Sequence, residues 1–241
     1  MRSNQIATAI IWDYDGTLVD TRQKNFNVAK KIIKNITGKD SHEFPALSDI
    51  ASYDAANKRA TNWRDLYEKE YGLKDEKIDE AGKLWSEFQL NDETPTPVMH
   101  GIKDVLNALK QFPQGIVSQN ARSSIAMALQ KNGLAEYFQI IIGYEEVDLK
   151  KQKPEPDGLL MCVNELIGPR PAKVFFIGDH EVDIQCALRA REVITKNQQD
   201  IQILSIAALY GSHADQVNWK FHADFDAKVP QNIVNIVMNH T

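Results

Sequence analysis

Apolar residues gather in short runs that stop abruptly at polar turns. The first, IATAIIW at 6–12, is rich in isoleucine and ends in DYDGT. A run that is apolar at consecutive rather than alternate positions predicts a strand covered on both faces. Similar runs are GIVS at 115–118, QIIIG at 139–143, VFFIG at 174–178 and ILSIAALYG at 203–211, with a weaker one, HADF, at 222–225. Segments of helical periodicity lie between most of them, at 101–112, 121–132, 155–167, 181–199 and 230–238. Strands alternating with helices over this length predict an α/β fold, a Rossmann-like parallel sheet flanked by helices.

Residues 22–92 break the alternation. They contain no buried strand pattern and read as amphipathic helices near 23–37, 54–71 and 75–90, with a looser segment at 39–52. Trp63, Leu66, Tyr67 and Glu70 recur at helical spacing, as do Leu84, Trp85 and Phe88. Such an aromatic stripe is read as helix core rather than as a ligand cage. The prolines of DETPTPV, 92–98, stop the last helix and stiffen the return. The expected organisation is therefore a core from 1–21 and 98–241, with a separate helical module, 22–97, inserted after the first strand.

Composition narrows the function classes. The chain has 241 residues, 43% hydrophobic and 25% charged, which fits a packed protein and not a disordered one. Its net charge of -5 argues against a broad nucleic-acid surface. Cys162 and Cys186 lack metal-type spacing and are expected to be buried thiols. No basic leader precedes a long apolar run, and no stretch approaches the roughly 18 apolar residues needed to span a membrane. A cytoplasmic protein is expected, so the Asn-x-Thr triplets at Asn35 and Asn239 are read as coincidental.

Ligands of open parallel sheets bind beyond the carboxyl ends of the strands. There the sequence places Asp13, Asp15, Gly16 and Thr17, then Ser118 and Asn120, then Lys153, then Gly178, Asp179 and Asp183. Taken singly, Asp15, Asp183 and Ser118 would suit helix caps or solvated turns. Lys153 has rivals in Lys150 and Lys151. Carboxylates, a hydroxyl and an amine delivered by four strands to one rim favour a site instead. Crowded carboxylates stay ionised beside a hard cation, and oxygen-only ligands suit Mg2+.

The order and spacing resemble the four motifs of the haloacid dehalogenase-like superfamily: DYDGTLVDT at 13–21, VSQN at 117–120, the Lys153–Pro154 pair, and GDHEVD at 178–183. The position of the insert, GYEEV at 143–147 followed by KPEPDGLL, and IAALYG at 206–211 are similar to the phosphoglycolate phosphatase-like branch. The resemblance implies Mg2+-dependent hydrolysis of a small phosphorylated metabolite. Asp13 would be the covalent nucleophile and Asp15 the acid and base. Lys153 would offset charge at the phosphoryl group. Gly16, Ser118, Gln119, Asn120 and Lys153 would surround the phosphate. Asp13, Asp179 and the Asp15 backbone carbonyl would hold the metal, with Asp183 a further ligand or an orienter of the others. An aspartate at 15 separates this chain from the dehalogenase branch, which lacks a carboxylate there, and from phosphonoacetaldehyde hydrolases, which typically carry alanine.

Two stretches depart from the pattern. REVITKNQQDIQ at 191–202 lengthens the connection after the fourth motif and predicts a longer helix available to subunit contacts. SHADQVNWKF at 212–221 exceeds a minimal loop. A monomer or homodimer is expected. Specificity is expected from about 39–64 of the inserted helical module, a cap by the same resemblance, with His42, Tyr53, Lys58, Arg59 and Arg64 in or near that segment. A β-phosphoglucomutase-like enzyme, a pyrophosphatase or nucleotidase, and a non-catalytic binding protein on the same core are the alternatives.

Overall fold

The computed structural model describes residues 6–60, 62–211 and 216–241. The chain divides into two compact units, one running to Asp20 and resuming at Pro97, the other Thr21–Thr96.

The first unit is built on six strands, β1 (Ala7–Trp12), β2 (Gln114–Val117), β3 (Ile140–Ile142), β4 (Ala172–Gly178), β5 (Ile201–Ala208) and β6 (Phe225–Ala227). They pair in the order β3-β2-β1-β4-β5-β6. Every neighbouring pair is parallel. The Ile-rich first run is therefore a central strand. Its side chains alternate between two cores: Ile10 and Trp12 face one, Ala9 and Ile11 the other. On the first side the core includes Ile102, Val105, Leu106, Ile125, Leu129, Ile233 and Val237. These come from Ile102–Ala108, Arg122–Asn132 and Gln231–His240. On the second it includes Leu159, Cys162, Val163, Cys186, Ala187 and Ala190, from Asp157–Ile167 and Glu181–Lys196. Cover on both faces is why residues 9–12 are apolar at consecutive positions.

The last strand begins later than its pattern suggests. HADF at 222–225 predicts a strand, but pairing starts at Phe225 opposite Ile206. Asp224 is diverted from strand pairing: its carboxylate accepts from Ser205 N at 2.7 Å and Ser205 Oγ at 2.8 Å, and from Arg191. The 191–202 stretch resolves into the end of the Glu181–Lys196 helix, a turn with Gln198 at φ 52°, and the start of β5. Of the loop at 212–221, residues 212–215 lie outside the described residues, as do 1–5 of the core and 61 of the cap.

The second unit holds the cap helices, α1 (Arg22–Thr37), α2 (Ile50–Arg59), α3 (Trp63–Lys69) and α4 (Glu76–Asn91). The core-unit helices continue as α5 (Ile102–Ala108), α6 (Arg122–Asn132), α7 (Asp157–Ile167), α8 (Glu181–Lys196) and α9 (Gln231–His240). The single helix expected at 54–71 is two. Ala60 turns extended after α2, and the Asn62 side chain caps α3 by accepting from Asp65 N at 3.0 Å. The looser segment contains two short 3-10 turns, Ser41–Glu43 and Pro45–Leu47. The aromatic stripe is core: Tyr67 stacks edge-on with Trp63 at 6.1 Å and Tyr71 at 5.0 Å. Among the described residues no helix is long and apolar enough to cross a membrane.

The hydroxyls of Tyr67 and Tyr71 are buried without a hydrogen-bond partner among the described residues. Removing an unsatisfied group while keeping the ring relieves a desolvation penalty. Tyr67→Phe and Tyr71→Phe should each leave stability unchanged or raise it by up to about 1 kcal/mol in urea denaturation. A loss of that size would reveal an ordered partner.

Asp224 offers a second check. Burial raises its pKa, but hydrogen bonds from Ser205 and the Arg191 charge outweigh it, leaving the value below the usual carboxylate range. A depressed folded pKa contributes stability that is present above the unfolded value and lost as pH falls through the folded one. Asp224→Ala should cost about 1 kcal/mol at neutral pH, solvent screening included. Its deficit relative to the parent should shrink below about pH 4.

Candidate active site

The edge above the strand ends is where the predicted residues meet. β1 and β4 pair with Trp12 opposite Ile177, and Asp13 N donates to Ile177 O at 2.7 Å. This register sets Asp13 beside the end of β4, where the chain continues into Asp179. The strand order reverses between β1 and β4, the crevice that open α/β sheets use for ligands.

Lys153 lies at the centre. Its Nζ donates to Asp13 Oδ1 and to Asp183 Oδ1, both at 2.7 Å. The same ammonium sits 5.2 Å from the centroid of Phe176. Lys153, Asp13 and Asp183 are all buried. Lys150 and Lys151, the rivals in the sequence, are exposed. Oxygens of Asp13, Asp179 and Asp183 come within 4.8 Å of one another. Burial is the largest influence on Asp13 and drives its carboxyl up to about 7. Lys153 pulls it down, while the charges of Asp183 and Asp15 add to the rise. Burial and the charges of Asp13, Asp183 and Asp15 push Asp179 well above its ordinary value. Burial would lower Lys153, but Asp13 and Asp183 outweigh it and hold the amine charged.

With all three carboxyls ionised, one ammonium would leave negative charge to be balanced. The donors are all carboxylate oxygens on two strand ends and the first turn of α8, a set suited to a hard divalent cation. Asp183 holds a different place from the other two. Its Oδ1 is taken by Lys153, and its Oδ2 accepts from His180 N at 3.2 Å. That geometry favours an orienter of the site over a direct ligand. The Asp15 carboxylate lies outside the trio, facing Ser118 Oγ at 3.4 Å and Asn120 Nδ2 at 3.3 and 3.4 Å.

The turn at 118–121 is held from several directions. Ser118 N donates to Ile142 O at 2.9 Å, Asn120 N to Ser118 Oγ at 3.1 Å, and Ala121 N to Asn120 Oδ1 at 2.8 Å. The last contact fixes the Asn120 amide so that its Nδ2 faces Asp15. Gln119 turns elsewhere, its Nε2 donating to Lys153 O at 3.0 Å.

Two glycines make the crowding feasible. Gly16 adopts φ +74°, and a Cβ there would fall 2.1 Å from Asp179 Oδ2. At Gly178 a Cβ would fall 2.4 Å from Asp183 Cβ and Cγ. The first is legible as a turn glycine. The approach of Asp179 is not. Sequence reading also passes over Tyr210, whose hydroxyl donates to Thr17 O at 2.8 Å, and His180, whose Nδ1 accepts from Val182 N at 3.3 Å. Tyr210 follows the fifth strand, so strand-end position is the signal that could mark it. Thr17 Oγ1 reaches Asp179 Oδ1 at only 3.5 Å, and its structural role comes as much from its carbonyl.

In the cap, Arg59 pairs with Glu70 through two nitrogens, at 2.9 and 2.8 Å. Arg64 pairs with Asp79 at 2.7 Å. Tyr53 is buried 5.6 Å from the Phe26 ring, and His42 is exposed beside Asp40.

Gly16→Ala should cost about 1–3 kcal/mol from backbone strain alone. It should also push Asp179 aside, which would lower any affinity for a divalent cation read by calorimetric titration. Gly38 has nearly the same φ, +72°, but a Cβ there would meet nothing within 4 Å. Gly38→Ala should therefore show the strain without that second effect.

Comparison with known proteins agrees with this geometry. The family model for haloacid dehalogenase-like hydrolase matches residues 10–195. The pyrophosphatase PpaX of Bacillus velezensis is 26% identical over 190 residues, covering 76% of this chain and 79% of that one. The phosphoglycolate phosphatase of Escherichia coli is 36% identical over 91 residues, 37% of this chain and 35% of that enzyme. A haloacid dehalogenase superfamily hydrolase of subfamily IA from Geobacter sulfurreducens superposes with a TM-score of 0.61 at 21% identity, covering 98% of this chain and all (100%) of that one. A haloacid dehalogenase-like family hydrolase from Streptococcus pneumoniae gives 0.67 at 19%, covering 95% and 98%. The structural likenesses establish the fold, and the family match, which spans most of the chain, establishes membership: this protein is a haloacid dehalogenase-like hydrolase.

Proposed function

We propose that the protein is a Mg2+-dependent phosphatase acting on a small phosphorylated metabolite through an aspartyl-phosphate intermediate. The observation that carries this reading is the Lys153 ammonium held on Asp13 and Asp183 at 2.7 Å within a cluster of buried carboxylates. Lys153 anchors Oδ1 of Asp13 and so sets the direction of its second oxygen. That oxygen attacks phosphorus, and the bond from phosphorus to the leaving oxygen breaks. Asp15, in its acid form, gives its proton to the departing alkoxide. In the second step Asp15 takes a proton from water, the water oxygen bonds to phosphorus, and Asp13 is released with inorganic phosphate. Ser118 and Asn120, now facing the Asp15 carboxylate, are the groups that would turn to phosphoryl oxygens. Asp13, Asp179 and the Asp15 carbonyl would hold Mg2+, which supplies positive charge beside the phosphoryl oxygens.

Phosphoglycolate is the leading substrate on the resemblance of motifs and on the local 36% match. Pyrophosphate is the second reading, supported by the broader match to PpaX, which runs over 76% of this chain. A cytoplasmic monomer or homodimer, without nucleic-acid or membrane partners, accompanies either reading.

Phosphate release from a panel containing both compounds should proceed with Mg2+ and fall to background with a chelator. Asp13→Asn should abolish release; undiminished turnover by that variant would rule out covalent catalysis at Asp13. Asp15→Ala should slow an alkyl phosphate by about 100- to 10,000-fold and an activated aryl phosphate far less. Equal losses on both would remove Asp15 from the role of acid.

A further inference from the structure

We propose that Gln119 is a positioning residue for Lys153, tying the lysine loop to the turn at 118–121. The inference rests on the proposed catalytic role of Lys153 and extends it to a neighbour that does not touch the reacting atoms.

Lysine is a poor candidate for fixed placement by itself, because its charge sits on a flexible four-carbon stem. The segment that carries it has little regular structure. Between β3 and α7 the chain forms only two short 3-10 turns, Tyr144–Glu146 and Leu149–Lys151. No strand ladder fixes Lys153, so side chains must. Gln152 anchors the near side, its Nε2 donating to Tyr144 O at 3.0 Å and Val147 O at 3.3 Å. Those contacts stay within the same loop. Two residues on, Glu155 is tied to α8, its carbonyl accepting from Cys186 Sγ at 3.3 Å and its carboxylate pairing with Arg189. At Lys153 itself the outside reference for the backbone comes from Gln119. Its Nε2 donates to Lys153 O at 3.0 Å across 34 positions of sequence. The turn it stands on is bonded to β3 through Ser118 N and Ile142 O at 2.9 Å. It is bonded again through Tyr144 N, which donates to Asn120 O at 3.2 Å. Gly143 permits this approach, since a Cβ there would lie 2.6 Å from Arg122 N and 2.8 Å from Asn120 O. The amide of Gln119 thus passes the position of a braced turn to the backbone of Lys153. It also means that the Gln119 side chain is engaged in holding the lysine, so any part it takes in phosphate binding falls to its backbone.

The test uses Gln119→Ala, Gln119→Met and Gln119→Glu. Methionine keeps the bulk without a donor, and glutamate keeps the shape while turning a donor into an acceptor. All three should lower kcat for an aryl phosphate by about tenfold, as expected for a small misplacement of a charge-stabilising group. KM should move less than kcat. In a Lys153→Met background the further loss from Gln119→Ala should vanish, because the two changes act through one group. Wild-type activity in Gln119→Met would show that only packing matters and overturn the proposal. A second readout is independent of turnover: hydrogen exchange in a peptide spanning 148–156 should accelerate in Gln119→Ala and Gln119→Met. Unchanged exchange there overturns the inference even if the parent enzyme is active. Absence of phosphate release by the parent, with exchange accelerated in the variants, would instead sink the assigned function and leave the tether standing.

Discussion

The site depends on a single buried ammonium shared between two carboxylates that lie far apart in sequence. Lys153 is 140 positions from Asp13 and 30 from Asp183. Each of these charges would be costly to bury alone, and removing one partner leaves the others uncompensated. The three charges are therefore interdependent, and everything that sets their spacing inherits that constraint. The parallel register of β1 and β4 is the first such element, since a slip by one residue would turn Asp13 away from the end of β4.

Close approach is the second. Side chains from four segments converge where the backbone itself takes up space, and Gly16 and Gly178 give way to Asp179 and Asp183. The loop carrying Lys153 is the least regular part of the assembly, which explains why two glutamine amides are spent on holding it. Behind these elements the sheet is anchored by apolar cores on both faces, including Trp12, Phe175 and Phe176, all fully or almost fully buried. A stiff sheet and a loop fixed by polar tethers are complementary means to the same end. The sheet places backbone to within a hydrogen bond, and the tethers place a flexible side chain.

Much of this is legible in the sequence because it is written in local patterns. Continuous apolar runs reveal strands covered on both sides, and the polar residue ending each run marks the rim. β6 is misplaced by its pattern because HADF carries weak apolar character and because Asp224 is engaged elsewhere, its carboxylate accepting from Ser205 and Arg191 and its backbone N–H donating to Ser205 Oγ. The split between α2 and α3 is hidden by helical spacing that continues across it. Asn62 is the overlooked sign, a capping residue just before Trp63. Other features are invisible to any local pattern. The amide of Gln119 could face a phosphate or a carbonyl, and only the folded loop shows which. The same holds for Arg59 and Arg64, candidate substrate cations by composition, which are paired with Glu70 and Asp79 inside the cap.

The surplus of negative charge bears on how such a site receives a phosphoryl group, which itself is anionic. Lys153 alone cannot offset Asp13, Asp179 and Asp183, and burial has already driven Asp13 up to about 7. Two further sources of positive potential lie at the same sheet edge. α6 begins at Arg122, directly after the turn that holds Ser118, and α8 begins at Glu181, two residues beyond Asp179. Both helices therefore direct N-terminal partial charge toward the strand ends, where it favours anions. These dipoles assist at the rim, but partial charges do not balance full carboxylates in a dry setting. A nucleophilic Asp13 must be ionised when phosphorus arrives, so on the proposed reading the divalent cation is needed to ready the nucleophile as well as to receive the substrate. On that reading phosphoryl binding and cation binding would be linked through the protonation of one carboxylate, and the arrangement that makes the site demanding to assemble would be the one that makes it reactive.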